Sequence, residues 1–194
     1  MQHKQKVTSY TLQENGQGLL EAVIALGIII TGVIAALTLA IANLSGSVAS
    51  ETRIVGANLA REGVEVARNI RDSNWIAGAS WDASLADGTY LVAWNAVAKK
   101  MELTPVSGAA PDPEQFRMYH AAASGLFMSD GSAGDRTRFS RRVTLAPLCA
   151  VGASACAGAS RIGIRVSAQV GWDERGATPV KPQVHVVADL YQWR

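Results

Sequence analysis

From Ala22 to Ala42 the chain carries no charge, and only Gly27, Thr31, Gly32 and Thr38 interrupt the apolar side chains. As a helix rising about 1.5 Å per residue, this run is about 30 Å long, the thickness of the hydrocarbon core of a bilayer. A segment of this kind must be covered by lipid or protein. Glu21 stands where the apolar run begins. A carboxylate there costs several kcal/mol unless something pairs with it, so Glu21 marks a functional position. Gly16 lies upstream, directly before Gln17-Gly18-Leu19-Leu20-Glu21.

The run Gly16-Gln17-Gly18-Leu19-Leu20-Glu21 resembles the class III signal of type IV prepilins and type II secretion pseudopilins. The order Gln-Gly-Leu-Leu-Glu-Ala-Val-Ile-Ala is most similar to the PilV-like minor pilin branch. Ala60 to Trp75 resembles the membrane-distal helix of PilV-like proteins, and Leu190-Tyr191-Gln192-Trp193 their last strand. The resemblance implies cleavage between Gly16 and Gln17, which makes Glu21 the fifth residue of the mature chain. A cut after Gly18 would make it the third and break the pattern. It also implies a methylated N-terminus at Gln17, and a pairing of Glu21 with the Gln17 amine of a neighbouring subunit that sets filament register. The implied partners are other pilin subunits, a prepilin peptidase, and an inner-membrane assembly platform with its ATPase.

The expected organisation is a leader over residues 1–16, a membrane or filament-core half of the helix over 17–44, an amphipathic half over 45–74 and a β domain over 75–194. Lys4 and Lys6 precede the apolar run, and positive charge holds that end in the cytoplasm, with everything after Leu44 outside. Ala40-Ile41-Ala42 is the cleavage site an ordinary secretory signal would use, but the apolar run before it is too long for a signal core and Glu21 is left unexplained.

Val48, Val55, Leu59, Val66 and Ile70 form one stripe at helical spacing. Arg61/Glu65 and Arg68/Asp72 are opposite-charge pairs at i, i+4 on the solvated side. Gly46, Gly56 and Gly63 each weaken the helix by up to about 1 kcal/mol, so tertiary packing must hold this half. Asp72-Ser73-Asn74 is read as its end.

Beyond it the pattern is β. Thr89–Trp94, a short Gly125–Met128 segment and Phe139–Leu145 read as strands, the last with Phe139, Arg141, Val143 and Leu145 on one face. Phe116 to Phe127 is otherwise ambiguous, and Pro105 to Pro113 reads as a loop. The strongest alternation is Arg161–Trp172, with Ile162, Ile164, Val166, Ala168, Val170 and Trp172 on one side. Gln183–Tyr191 returns antiparallel with Val184, Val186, Ala188 and Leu190 aligned. The fold class is therefore α+β, pilin-like: a long N-terminal helix whose second half packs on an antiparallel sheet. Trp75, Trp81 and Trp94 are expected in the core.

Cys149 and Cys156 bracket six residues rich in Ala, Gly and Ser, the pattern of a disulfide closing a small loop in an exported domain. No His lies in that segment to make a metal site. Net charge is +2, and no stretch concentrates Lys and Arg with aromatics, so nothing points to nucleic acid. The cluster Arg136, Arg138, Arg141 and Arg142 reads as an exposed strand face. His120 and His185 lack a nucleophile motif around them, and Asp130–Asp135 lacks the ligand series of a calcium loop. No catalytic residue, metal site or cofactor is expected. The resemblance implies a structural subunit, a minor pilin of a type IV pilus-like filament. A pseudopilin of a type II secretion system differs in machine rather than chemistry, and a single-pass anchor carrying an extracytoplasmic binding domain is the reading of another class.

Overall fold

The structure is a computed structural model that describes residues 17–107, 113–129, 134–150, 156, 161–173 and 182–192. It is α+β: one helix, α1 (Gln17–Ile76), and a seven-stranded antiparallel sheet. The chain forms two compact units, one through Ala49 and one from Ser50 onward, so their boundary falls inside α1.

The helix runs past Asp72-Ser73-Asn74 and stops for a backbone reason. Gly78 takes φ +69°, its N–H bonds the Trp75 carbonyl at 3.1 Å, and the Ala79 N–H bonds the Asn74 carbonyl at 2.9 Å. This pair of reversed bonds around a left-handed glycine is a Schellman cap. Asn74 belongs to the last turn, and its side-chain amide reaches forward to the carbonyls of Trp81 (3.3 Å) and Ala83 (2.7 Å).

Within the second unit, Leu59, Val64 and Val66 of α1 are buried against the sheet, each stabilising by about 1.5–3 kcal/mol. Val55 and Ile70 are partly buried beside them, whereas Val48, expected on the same stripe, is exposed. The stripe is completed by small residues instead: Gly56, Ala60, Gly63 and Ala67 are all buried. A Cβ at Gly56 would lie 2.9 Å from Trp172 Cζ3, and one at Gly63 would lie 3.0 Å from Val143 Cγ2. The glycines that weaken the helix in isolation are thus where the sheet comes closest to it. The expected i, i+4 ion pairs do not form: Glu65 pairs with Arg68, and Asp72 with Arg71, whose own side chain is buried.

The sheet is built around β5. The strands are β1 (Gly88–Asn95), β2 (Lys100–Pro105), β3 (Arg117–Ala121), β4 (Leu126–Met128), β5 (Asp135–Cys149), β6 (Arg161–Trp172) and β7 (Gln183–Tyr191), with a 3₁₀ turn at Pro113–Phe116. One side of β5 pairs with β6 from Phe139↔Trp172 to Cys149↔Arg161, and β6 pairs in turn with β7. The other side of β5 is shared. Residues 143–145 take β1 with its hairpin partner β2, and residues 135–140 take β3 with its partner β4.

Phe139, Val143 and Leu145 face the core as the alternation requires, and so does Arg141, with no exposed surface at all. The reading of an exposed arginine face therefore holds for Arg136, Arg138 and Arg142 but fails for Arg141, because strand periodicity puts it between two core residues. Of the tryptophans expected in the core, Trp81 packs against it, while Trp75 and Trp94 are exposed.

Candidate functional site

The N-terminal stretch of α1 carries the sequence's strongest constraint. Gln17 is the first helical residue and Glu21 follows one turn later. Gly16, the expected cleavage position, lies outside the described residues. From Gly18 to Ala49 every residue is helical and exposed, including Leu20, Ile24, Ile28, Val33, Leu37 and Ile41. No charge follows Glu21 until Glu51. The helix is long and apolar enough to cross a membrane, with a mean hydropathy of 2.6 in its best window. An exposed apolar surface of this extent marks a contact with lipid or with other protein.

Within the apolar run from Ala22 to Ala42 the two hydroxyls are internally satisfied. Thr31 Oγ1 donates to the carbonyls of Gly27 (3.0 Å) and Ile28 (2.9 Å), and Thr38 Oγ1 donates to Ile34 at 2.8 Å. A threonine that bonds its own helix needs no water, which makes it compatible with an apolar surrounding. Glu21 is the only acidic or basic side chain in this stretch. Together with an α-amine at Gln17, a carboxylate in this position could form a charge pair inside an apolar layer, where a satisfied pair specifies stagger and an unsatisfied charge is strongly disfavoured.

The remaining candidate residues lie in the second unit. Cys149, the last residue of β5, is bonded to Cys156, with their Cα atoms 5.6 Å apart. The segment between them lies outside the described residues, as do Asp130 to Ala133 of the loop weighed for calcium. His120 is half-buried and its ring lies 4.9 Å from that of Phe127. His185 is exposed, and its Nε2 hydrogen-bonds Ser167 Oγ across β6 and β7. On the same sheet face Arg165 makes a two-pronged pair with Asp189, both bonds 2.8 Å. That pair holds the Asp189 carboxyl below its usual range and raises the Arg165 guanidinium. Among the described residues no cluster of three or more His, Cys, Asp or Glu could hold a metal ion. Compared with family models, with curated proteins and with solved structures, the chain matches none.

Proposed function

We propose that this chain is a structural subunit, of the minor pilin kind, in a type IV pilus-like filament. The observation that carries the reading is the placement of Glu21 at the head of an exposed helical stretch with no further charge until Glu51, directly after the Gly16-Gln17-Gly18-Leu19-Leu20 run. A plain membrane anchor explains the length of that helix but not a carboxylate at its start. The internally bonded Thr31 and Thr38 support an apolar surrounding for the segment.

In this reading the subunit waits in the inner membrane with residues 1–16 in the cytoplasm and the β domain outside. A prepilin peptidase cuts between Gly16 and Gln17, whose new amine is methylated. The assembly platform and its ATPase then draw the subunit into the filament. There Glu21 of one subunit neutralises the Gln17 amine of the next, and the exposed apolar faces exchange lipid for neighbouring helices. The protein is substrate and building block rather than catalyst.

Intact mass and N-terminal sequencing of the membrane-associated chain, with and without a prepilin peptidase, test this directly. The expected product begins at Gln17 and forms only when the peptidase is present. A chain beginning near Asn43 would replace the reading with an ordinary secretory signal. An uncut Met1 chain in both samples would leave a single-pass anchor with an outer binding domain.

A further inference from the structure

β7 pairs with β6 along one side, from Gly163↔Tyr191 to Gly171↔Gln183 without a break in register, and among the described residues no strand pairs with its other side. The two ends of that ladder give the direction of the free backbone groups. The Gln192 N–H bonds the Ile162 carbonyl, and the Pro182 carbonyl accepts from the Trp172 N–H, so the even-numbered residues turn toward β6. Gln183, His185, Val187, Asp189 and Tyr191 therefore present their N–H and C=O groups at the open edge. We propose that this edge pairs with the same edge of a second copy of the chain, antiparallel and centred on Val187.

The strand is unguarded. It is 9 residues long and holds no Lys, Arg, Pro or bulge, the devices that keep an edge from pairing. Its one carboxylate, Asp189, is already held by Arg165 of β6. By contrast, the edge strand β2 carries Lys100, Glu102 and Pro105, and β4 is only 3 residues long.

The sequence of β7 is complementary to itself. About Val187, antiparallel pairing sets Gln183 opposite Tyr191 of the second copy, His185 opposite Asp189, and Val187 opposite Val187. These are the pairs that exchange both backbone bonds, so the outward groups are satisfied along the whole strand. Between them Val184 meets Leu190 and Val186 meets Ala188, on the face that packs toward the core. His185 Nε2 is engaged with Ser167 Oγ, which leaves Nδ1 for the Asp189 carboxylate of the second copy. Each Asp189 oxygen takes one Arg165 nitrogen and keeps a lone pair for that bond. Val187, 48 % exposed, gains an apolar neighbour. Sliding His185 by two residues along the partner sets it opposite Val187 or Tyr191, loses both His–Asp pairs and leaves outward groups unpaired, so charge and length select one register. A two-fold contact closes on itself, joining two copies and stopping. It does not depend on the filament reading.

The test uses the full chain in detergent, with micelles in large excess over chains so that two copies do not share one by chance. Sedimentation equilibrium is expected to show monomer and dimer with a Kd on the order of 10 μM. Val187→Pro removes an N–H that points away from β6. The β6 ladder and the far-UV circular dichroism should stay unchanged while the dimer weakens about tenfold or more. His185→Glu sets like charges opposite each other across the edge and should also weaken the dimer. With Cys149 and Cys156 bonded to each other, Val187→Cys carries one free thiol, and a short bismaleimide should link two copies through it. The same substitution at the exposed Val97, in the turn between β1 and β2, should not link. A chain that stays monomeric up to about 100 μM overturns the proposal. So does a dimer that Val187→Pro or His185→Glu leaves unchanged, or equal linking through positions 187 and 97. Processing at Gln17 is read separately by mass, so failure here and failure of the filament reading cannot be confused.

Discussion

Arg141 Nη1 donates to Glu62 Oε2 at 2.9 Å and to the Leu59 carbonyl at 3.2 Å, from a side chain with no exposed surface. The middle of the buried helix face and the middle of β5 are thereby joined by a single guanidinium. Burial pushes the Arg141 pKa below its ordinary value, and Glu62 pulls it partly back. Two further nitrogens, Nε and Nη2, are buried without a hydrogen-bond partner among the described residues. The pair is therefore costly to hold and costlier to break. Removing the carboxylate strands a charge, whereas replacing the arginine with an apolar side chain of similar volume removes the cost with the benefit. Glu62→Ala should destabilise by about 2 kcal/mol, less than the ~3–5 kcal/mol of a fully buried pair because Glu62 retains 35 % side-chain exposure. Arg141→Met should change stability by less than about 1 kcal/mol. Chemical denaturation of both variants checks the asymmetry, and equal losses would contradict it.

One turn from this strut, Gly63 lets the helix approach the sheet. An added Cβ would lie 3.0 Å from Val143 Cγ2 and 3.3 Å from Ala168 Cβ. Gly63→Val brings two further methyl groups into that space. It should destabilise by about 2 kcal/mol through overpacking, despite valine's better helix propensity. A denaturation midpoint at or above that of the parent would show that the helix can stand off the sheet freely.

Acid should loosen the corner where Arg117 gathers Glu114 and Asp173. The Arg117 guanidinium bonds Glu114 at 2.8 Å and Asp173 at 2.6 Å, and its hydrogen bond holds the Glu114 carboxyl below its ordinary value of 4.5. A carboxylate with a lowered folded pKa contributes stability that is fully present above the unfolded value and lost as pH falls through the folded one. The loss therefore lies below about pH 4.5. Glu114→Gln should show a shallower decline of stability with acid in that window and little change in slope between pH 6 and 8. Thermal unfolding across the range reads this, and an unaltered acid limb would remove Glu114 from the account.

Glu21→Ala addresses the filament reading. If the Gln17 amine of one subunit is neutralised by Glu21 of another, removing the carboxylate leaves a buried charge at each junction. Incorporation into sheared filaments should then fall by about tenfold or more, while the amount of chain in the membrane stays the same. Equal incorporation of the variant would sink the pairing.

The parts of this fold that could be read from the sequence are those where one period dominates. Arg161–Trp172 and Gln183–Tyr191 alternate cleanly, and both strands span those residues. β5 was legible only at its centre, because arginines fill positions 136 and 138 on one side and Pro147 breaks the pattern on the other, although the strand continues through it paired with Ile164. β2 and β3 escaped notice. Lys100–Pro105 and Arg117–Ala121 mix charge and apolar groups at the sheet's periphery, and the turn between β1 and β2 contains no Gly or Pro. It is closed instead by Asn95 Oδ1, which accepts from the N–H groups of Val97 and Ala98. The buried helix face was half visible: hydrophobic spacing finds Leu59 and Val66, but Gly56 and Gly63 register only as weak helix formers until the sheet is placed against them. Glu21 is conspicuous in sequence because no other charge occurs between residues 15 and 50.

The shared edge of β5 gives the sheet a trunk and two branches. Because β1–β2 and β3–β4 each attach to their own short stretch of that edge, neither hairpin interrupts the ladder from β5 through β6 to β7 that carries the helix. The hairpin tips at 96–99 and 122–125 are thus positions where residues can be inserted or exchanged without touching the scaffold. A lineage could diversify what such a subunit displays, or an engineer could graft an epitope there, while the trunk keeps its shape.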